Sequence, residues 1–237
     1  MAPRDRAMMA QSRAMKLTPD LVAKVHRIEP DEGPTPDRIQ MIDDDYRLAA
    51  TQLWAAFDKM PLRVFAYGSL IWKPEFEAVE QVRGELNGWH RSFCLKIDRW
   101  RGTRTQPGLM MALDRGRSCQ GVVYRLPEGN EHVQLEWLLR REMSYKPASN
   151  VPIVVEVNLG DEKQRALAFI AIDTGIAYQG NLALEQVAQV LSQAAGHWGS
   201  GAEYLFNTVS HLGQFGIHDV HLWQLQERVA EIISDKS

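Results

Sequence analysis

At Leu62 the spacing of apolar residues changes character, and no other feature of the sequence narrows the possible folds so far. Upstream, apolar residues recur at helical spacing. From here they gather in short runs rich in Val and Ile, bounded by glycine and polar residues, as buried strands do. Arg63-Val64-Phe65-Ala66-Tyr67 is the first such run, halted by Gly68-Ser69. Gln81 to Leu86, His90 to Ile97, Gly108 to Leu113, Gly121 to Leu126, Ile153 to Leu159 and Ala166 to Ile172 follow as predicted strands. Glu131 to Arg141 interrupts them as a helix with Val133, Trp137 and Leu138 along one face. After Gly175 the pattern is helical again, over Leu182 to Ala195, Ala202 to Leu212 and Asp219 to Ile233. Strands first, one embedded helix and a helical end predict an α+β fold. Its sheet is expected to be mixed, largely antiparallel and closed into a small barrel with flanking helices.

Residues 1–60 read as an N-terminal helical extension and linker ahead of a catalytic domain at 61–237. A basic, methionine-rich start leads into a helical pattern from Leu17 to Ile28, opened by Thr18-Pro19-Asp20. The turn-rich linker Glu29-Pro30-Asp31-Glu32-Gly33-Pro34-Thr35-Pro36 comes next, and its composition implies few essential core contacts upstream. A second predicted helix, Ile42 to Phe57, carries Leu48, Leu53, Trp54 and Phe57 and stops before Met60-Pro61.

With 237 residues and 45% hydrophobic content the chain can bury a substantial core. A net charge of −3 offers no basic field for a phosphate backbone, so no nucleic-acid partner is expected. Cys94 and Cys119 lack metal-ligand spacing and read as small core residues; two cysteines in a chain of this size fit a reducing, cytoplasmic compartment. No stretch approaches the ~20 apolar residues of a spanning helix. The start has no apolar run of signal-peptide length, so no membrane partner is expected either.

The strongest chemical signal is Tyr67-Gly68-Ser69-Leu70. A glycine at a strand exit lets the backbone turn sharply and offer free N–H groups to a polarised or anionic ligand. Gly-Ser is also common turn punctuation, and the residues alone leave both readings open. Arg99, Arg101 and Arg104 are able to fork a substrate carboxylate, or to stand solvated as a basic run. Glu142, at the end of the embedded helix, is by position either a surface carboxylate or an acid/base group. Tyr178 and Tyr204 are either core residues or pocket hydroxyls. Ser69 lacks the G-x-S-x-G elbow of a hydrolase triad. His218 and His221 stand at i, i+3 without a convincing third metal ligand, and no phosphate-binding glycine motif appears.

Val64-Phe65-Ala66-Tyr67-Gly68-Ser69-Leu70-Ile71-Trp72 resembles the N-terminal signature F-G-Y-G-S-L-I-W of the ChaC-type γ-glutamylcyclotransferases, with Ala66 in place of the first glycine. Asp98 to Gly108 is similar to that family's D-x-R-G-T-P-x-x-P-G stretch, with Trp100 extra and Arg104 where proline is usual. Leu138-Leu139-Arg140-Arg141-Glu142 is similar to its L-x-x-R-E segment, with Ser144-Tyr145 following in place of Gly-Tyr. Ala177 to Leu182 and Ala202-Glu203-Tyr204-Leu205 stand where the family has N-P-x-Y-L-G-like and N-x-E-Y-L-like segments. The resemblance runs from about Leu62 to Glu231 and leaves residues 1–60 outside.

What it implies is a γ-glutamylcyclotransferase-like fold and a glutathione-specific enzyme, lyase-like and needing no cofactor or metal, that yields 5-oxoproline and Cys-Gly. The same resemblance implies that Glu142 is the acid/base residue. It also implies that Val64, Phe65, Ala66, Tyr67, Gly68, Ser69, Leu70, Arg101, Tyr178 and Tyr204 serve substrate binding. Two alternatives stay open: a cyclotransferase for other γ-glutamyl-amino acids or amines, and a non-catalytic module that binds a small molecule. Oligomeric state is not legible.

Overall fold

Seven helices and nine strands order the described residues of a computed structural model, which are 14–236 apart from Asp37 and Lys59. The basic start at residues 1–13 lies outside the described residues. In order they are α1 (Pro19–Val25), β1 (Ile39–Gln40), α2 (Asp43–Phe57), β2 (Arg63–Ala66), α3 (Ser69–Trp72), β3 (Glu80–Ile97) and β4 (Gly108–Arg125). Then come α4 (Glu131–Glu142), β5 (Tyr145–Lys146), β6 (Asn150–Leu159), β7 (Glu162–Ala171), α5 (Leu184–Leu191), α6 (Gly201–Gln214) and α7 (Val220–Asp235). A two-residue hairpin, Ala195–Gly196 with Gly199–Ser200, precedes α6.

Five strands close into a barrel in the order β2-β4-β3-β6-β7. Neighbours in that order are antiparallel. Closure is parallel, with Val64 of β2 opposite Leu167 of β7 and Leu113 of β4 opposite Ile170. The α+β barrel expected from the sequence is therefore the fold observed.

Its strands are longer than their hydrophobic patterns. Four predicted segments fuse into β3 and β4, of 18 residues each, because the ladder continues where the alternation lapses. Arg115 to Ser118 are exposed and polar, yet Arg115 and Ser118 still pair with Trp89 and Asn87. A bulge interrupts the register there, and Gly88 takes its turn at φ +84°, a conformation open to glycine at no steric cost.

Phe65, Leu113, Leu167 and Phe169 are buried in the barrel, and two helical groups cover it. α2 packs on α4, burying Tyr46, Ala50 and Phe57; α5, α6 and α7 pack together on another side. Short-range chemistry starts these helices. Ser200 accepts from the Glu203 N–H at 3.1 Å to cap α6, and Asp219, between the two histidines read as a weak metal pair, accepts from Leu222 N–H at 3.1 Å to cap α7.

The extension docks more firmly than its composition implies. Leu17 is fully buried, worth roughly 1.5–3 kcal/mol of apolar transfer, and its N–H donates to Gln226 Oε1 of α7 at 2.8 Å. Val25 joins the same core. In the linker, Thr35 Oγ1 donates to Asp98 Oδ1 at 2.8 Å and the Thr35 N–H donates to Tyr145 Oη at 2.9 Å. The expectation of few core contacts upstream of the linker fails for a physical reason. Proline and glycine preclude a helix or strand, but they leave the segment free to be held by side chains from elsewhere in the chain.

Candidate active site

β2 ends inside the barrel wall, and the chain turns at Gly68 into the single helical turn α3. An added Cβ at Gly68 would lie 2.7 Å from Tyr204 Oη, so only glycine lets the loop meet that ring without displacing it. Tyr204 comes from α6 and accepts from the Ser69 N–H at 3.2 Å. Trp72 and Phe93 meet its ring edge-on, with centroids at 5.6 and 5.8 Å. Tyr67 points the other way and donates to the Phe169 carbonyl at 2.8 Å. The Tyr67 carbonyl in turn accepts from the buried Arg91 Nε at 2.6 Å, and Arg91 pairs with Asp219 at 2.9 Å. The loop is thus tied to strand, helix and guanidinium at once.

Facing this loop is Glu142, the last residue of α4. Tyr67, Gly68, Ser69, Leu70, Met110, Met111, Phe169, Tyr204 and Glu142 line a small pocket. The Glu142 side chain is only 15% exposed. Burial pushes its carboxyl above the ordinary glutamate value; the Arg141 guanidinium, 3.2 Å away, pulls it down, and the charge of Glu75 adds to the rise. Burial also raises the Tyr204 hydroxyl, and the charge on Glu142 raises it further. A carboxylate enclosed in this way is suited to take a proton and return it.

Glu142 and Met110 also line a second, outer cleft that is more open to solvent. Arg38, Lys96 and Arg141 bring positive charge to the outer cleft, and Trp100, Tyr145 and Trp198 bring aromatic surface.

Of the residues singled out in the sequence, Tyr67, Gly68, Ser69, Leu70, Tyr204 and Glu142 meet at the pocket. Val64, Phe65 and Ala66 are buried in β2, supporting the loop from behind without lining either cavity. Arg101 lies behind Tyr204, 5.4 Å from its ring, and its charge is met by Glu203 Oε2 at 2.7 Å and the Ser200 carbonyl at 2.9 Å. Tyr178 packs on Cys94 and Leu95 and donates to Asp114 Oδ2 at 2.8 Å, also outside both linings. Arg99 and Arg104 hold the linker: Arg99 forks Asp31 at 2.8 and 2.7 Å, and Arg104 donates to the Glu32 and Pro34 carbonyls at 3.2 Å. The arginine run is therefore neither free nor aimed into the cavity.

Sequence reading missed Met110, Met111 and Phe169 in the pocket and Arg38, Tyr145 and Trp198 in the cleft. Trp198, 55% exposed in a glycine-rich turn, carried the one usable signal, a large aromatic where a linker needs none. Cys94 and Cys119 are free and buried; burial pushes their thiols up to about 12 and about 11. Among the described residues no group of three His, Cys, Asp or Glu side chains is placed to hold a metal, and no helix is long and apolar enough to cross a membrane.

Comparison with known proteins agrees with this geometry. The family model of ChaC-like proteins matches residues 62–232. The glutathione-specific gamma-glutamylcyclotransferase of Escherichia coli (strain K12) is 36% identical over 189 residues, covering 79% of this chain and 80% of its own. Gamma-glutamylcyclotransferase 2-3 of Arabidopsis thaliana is 31% identical over 183 residues, covering 74% and 92%. In structure, the yeast gamma-glutamyl cyclotransferase specific to glutathione superposes with a TM-score of 0.65 at 22% identity, covering 72% of this chain and 96% of its own, which establishes the shared fold.

Proposed function

The chain belongs to the ChaC-like protein family, and from that premise we propose that it cyclises the γ-glutamyl group of glutathione, releasing 5-oxoproline and Cys-Gly. One observation carries the mechanism: an enclosed carboxylate, Glu142, stands across a small pocket from the Tyr67–Leu70 loop. The α-amino nitrogen of the γ-glutamyl group attacks its own γ-carbonyl carbon. A new C–N bond closes a five-membered ring, and the bond from that carbon to the cysteine nitrogen breaks. The reaction is intramolecular, so holding the chain folded toward closure supplies much of the rate.

The amine is mostly an ammonium ion at neutral pH. Glu142 takes one proton to free the lone pair and returns it to the departing nitrogen, while the ring nitrogen passes its surplus proton to the released amine. A raised pKa keeps the carboxyl basic enough for the first step and acidic enough for the second. Charge developing on the carbonyl oxygen calls for fixed donors, and the amides of the Tyr67–Leu70 loop serve that role in this reading. Ser69 is not needed as a nucleophile. The two free, buried thiols support placing the reaction in a reducing, cytoplasmic compartment.

The test is a mass-spectrometric product assay on reduced glutathione and, separately, γ-Glu-Ala, with no nucleotide added. Both 5-oxoproline and Cys-Gly are expected from glutathione. Turnover of γ-Glu-Ala alone would make the protein a cyclotransferase for other γ-glutamyl-amino acids. Thermal stabilisation by glutathione without 5-oxoproline would make it a binding module.

A further inference from the structure

We infer that Arg38, carried by the N-terminal extension to the outer cleft, binds the C-terminal carboxylate of the dipeptide half of the substrate. The segment that lies outside the family match would then complete the specificity site. The inference rests on the cyclisation reading above.

Three cations line the outer cleft, and their surroundings separate them. Arg141 is engaged, with Nη1 2.6 Å from Glu75 Oε2 and Nε 3.2 Å from Glu142 Oε1. Lys96 is exposed, on a flexible stem that gives its charge no single position. Arg38 is half-buried and lies with its guanidinium carbon 4.7 Å above the Tyr145 ring, and it makes no ion pair among the described residues. Its fork of N–H donors is therefore held in place and left for an anion.

Both sides of that stack are anchored. The Tyr145 hydroxyl accepts from the Thr35 N–H at 2.9 Å, three residues before Arg38. Immediately after Arg38, Ile39 and Gln40 pair with Lys146 and Tyr145. Farther back, the Asp31 carboxylate is gripped by Arg99, which holds it well below the usual carboxylate range. A guanidinium fixed over an aromatic face without a counter-ion suits a carboxylate ligand better than a neutral one.

Substrate geometry supplies the other half. The bond to be broken belongs beside Glu142, where pocket and cleft meet. The two residues of Cys-Gly extend about 7 Å beyond it, along a cleft walled by Trp100 and Trp198, whose ring centroids are 6.0 Å apart. Arg38 lines the same cleft and meets the chain end there.

The experiment compares glutathione with its C-terminal glycinamide in the full-length protein and in Arg38→Ala. The parent is expected to favour the acid over the amide by about tenfold in kcat/KM, the scale of one charge-assisted hydrogen bond. In Arg38→Ala, KM for glutathione should rise about tenfold with kcat nearly unchanged, while KM for the amide stays put and the preference disappears. The amide is the internal control, since general damage to the cleft would raise both KM values; Arg38→Lys should recover part of the preference. An active parent that turns over acid and amide equally, or an Arg38→Ala protein that keeps the preference, would overturn the inference alone. A parent that releases no 5-oxoproline from glutathione would overturn the cyclisation reading and this inference with it.

Discussion

The inner pocket and the outer cleft share Glu142 and Met110 and differ in what surrounds them. The pocket is assembled from the end of β2, the start of α3, strands β4 and β7, the last residue of α4 and Tyr204 of α6, and its tyrosines are buried and hydrogen-bonded. The cleft shares part of that frame, with Leu95 and Ile97 of β3 and Asn150 of β6 buried along it and Met110 of β4 half-buried, but its rim is made by loops and by the extension, which bring Trp100, Trp198 and Arg38. In the proposed reading, the chemistry, which tolerates little misplacement, sits on the rigid frame. Recognition, which tolerates more, is placed by the same reading at a rim that the frame does not dictate. On this view, damage to the pocket should cost turnover and damage to the cleft should cost discrimination.

The largest effect expected is that of Glu142→Gln, which keeps shape but cannot take a proton. Release of 5-oxoproline should fall by roughly 10²–10⁴-fold while glutathione still stabilises the fold against heat. A folded variant that works near the parent rate would move the acid/base role to another carboxylate.

Next comes Gly68→Ala, whose new methyl group would press on the Tyr204 hydroxyl from 2.7 Å. A displacement of that order at a reacting centre costs up to about 10²-fold in kcat. Tyr204→Phe removes the clashing oxygen, so the loss caused by Gly68→Ala should shrink in that background, as a double-mutant cycle would measure. Equal losses in both backgrounds would mean that the contact does not position the loop. Arg38→Ala, at about tenfold in KM and little in kcat, falls below these and on the other side of the division.

The smallest effect is on stability. An unfolded glutamate titrates near 4.5, and burial holds Glu142 above that value in the folded protein. Between the two values the folded form binds the proton more tightly, so the contribution of Glu142 to stability declines as pH rises through the window, and its cost is complete above it. Glu142→Gln should therefore melt above the parent at neutral pH, by a margin that closes below about pH 4. A margin independent of pH between 4 and 7 would show that the carboxyl is not perturbed by burial. The same raised pKa predicts that the acid limb of kcat/KM lies above the ordinary glutamate range.

The sequence was most legible where neighbours along the chain decide the outcome. Helix ends, the strand run Arg63 to Ala66 and the glycine turn after it follow from capping residues, period and backbone freedom. Tyr67-Gly68-Ser69-Leu70 and Glu142 were recognisable because the motif that carries them is itself local. Where polar residues interrupted a pattern, as at Arg115 to Ser118, the strand ran on unseen, since ladder hydrogen bonds do not depend on side-chain polarity.

What the sequence by itself determined is the class of fold, the loop that turns inward and the carboxylate at the end of a helix. Only the tertiary structure decided which charged and aromatic groups share a cavity. Arg101 and Arg38 both stand in turn-rich stretches, Arg101 among other arginines and Arg38 among acidic residues. One is paired with Glu203 behind Tyr204, and the other lies over Tyr145 in the open cleft. Local charge alone would favour the opposite outcome, an ion pair for Arg38 and a free Arg101. The difference is made by contacts such as that between Thr35 and Tyr145, 110 residues apart, whose partners are chosen when the barrel and its extension pack. Charge becomes available for binding where packing leaves it without a counter-ion, and that is a property of three-dimensional neighbours.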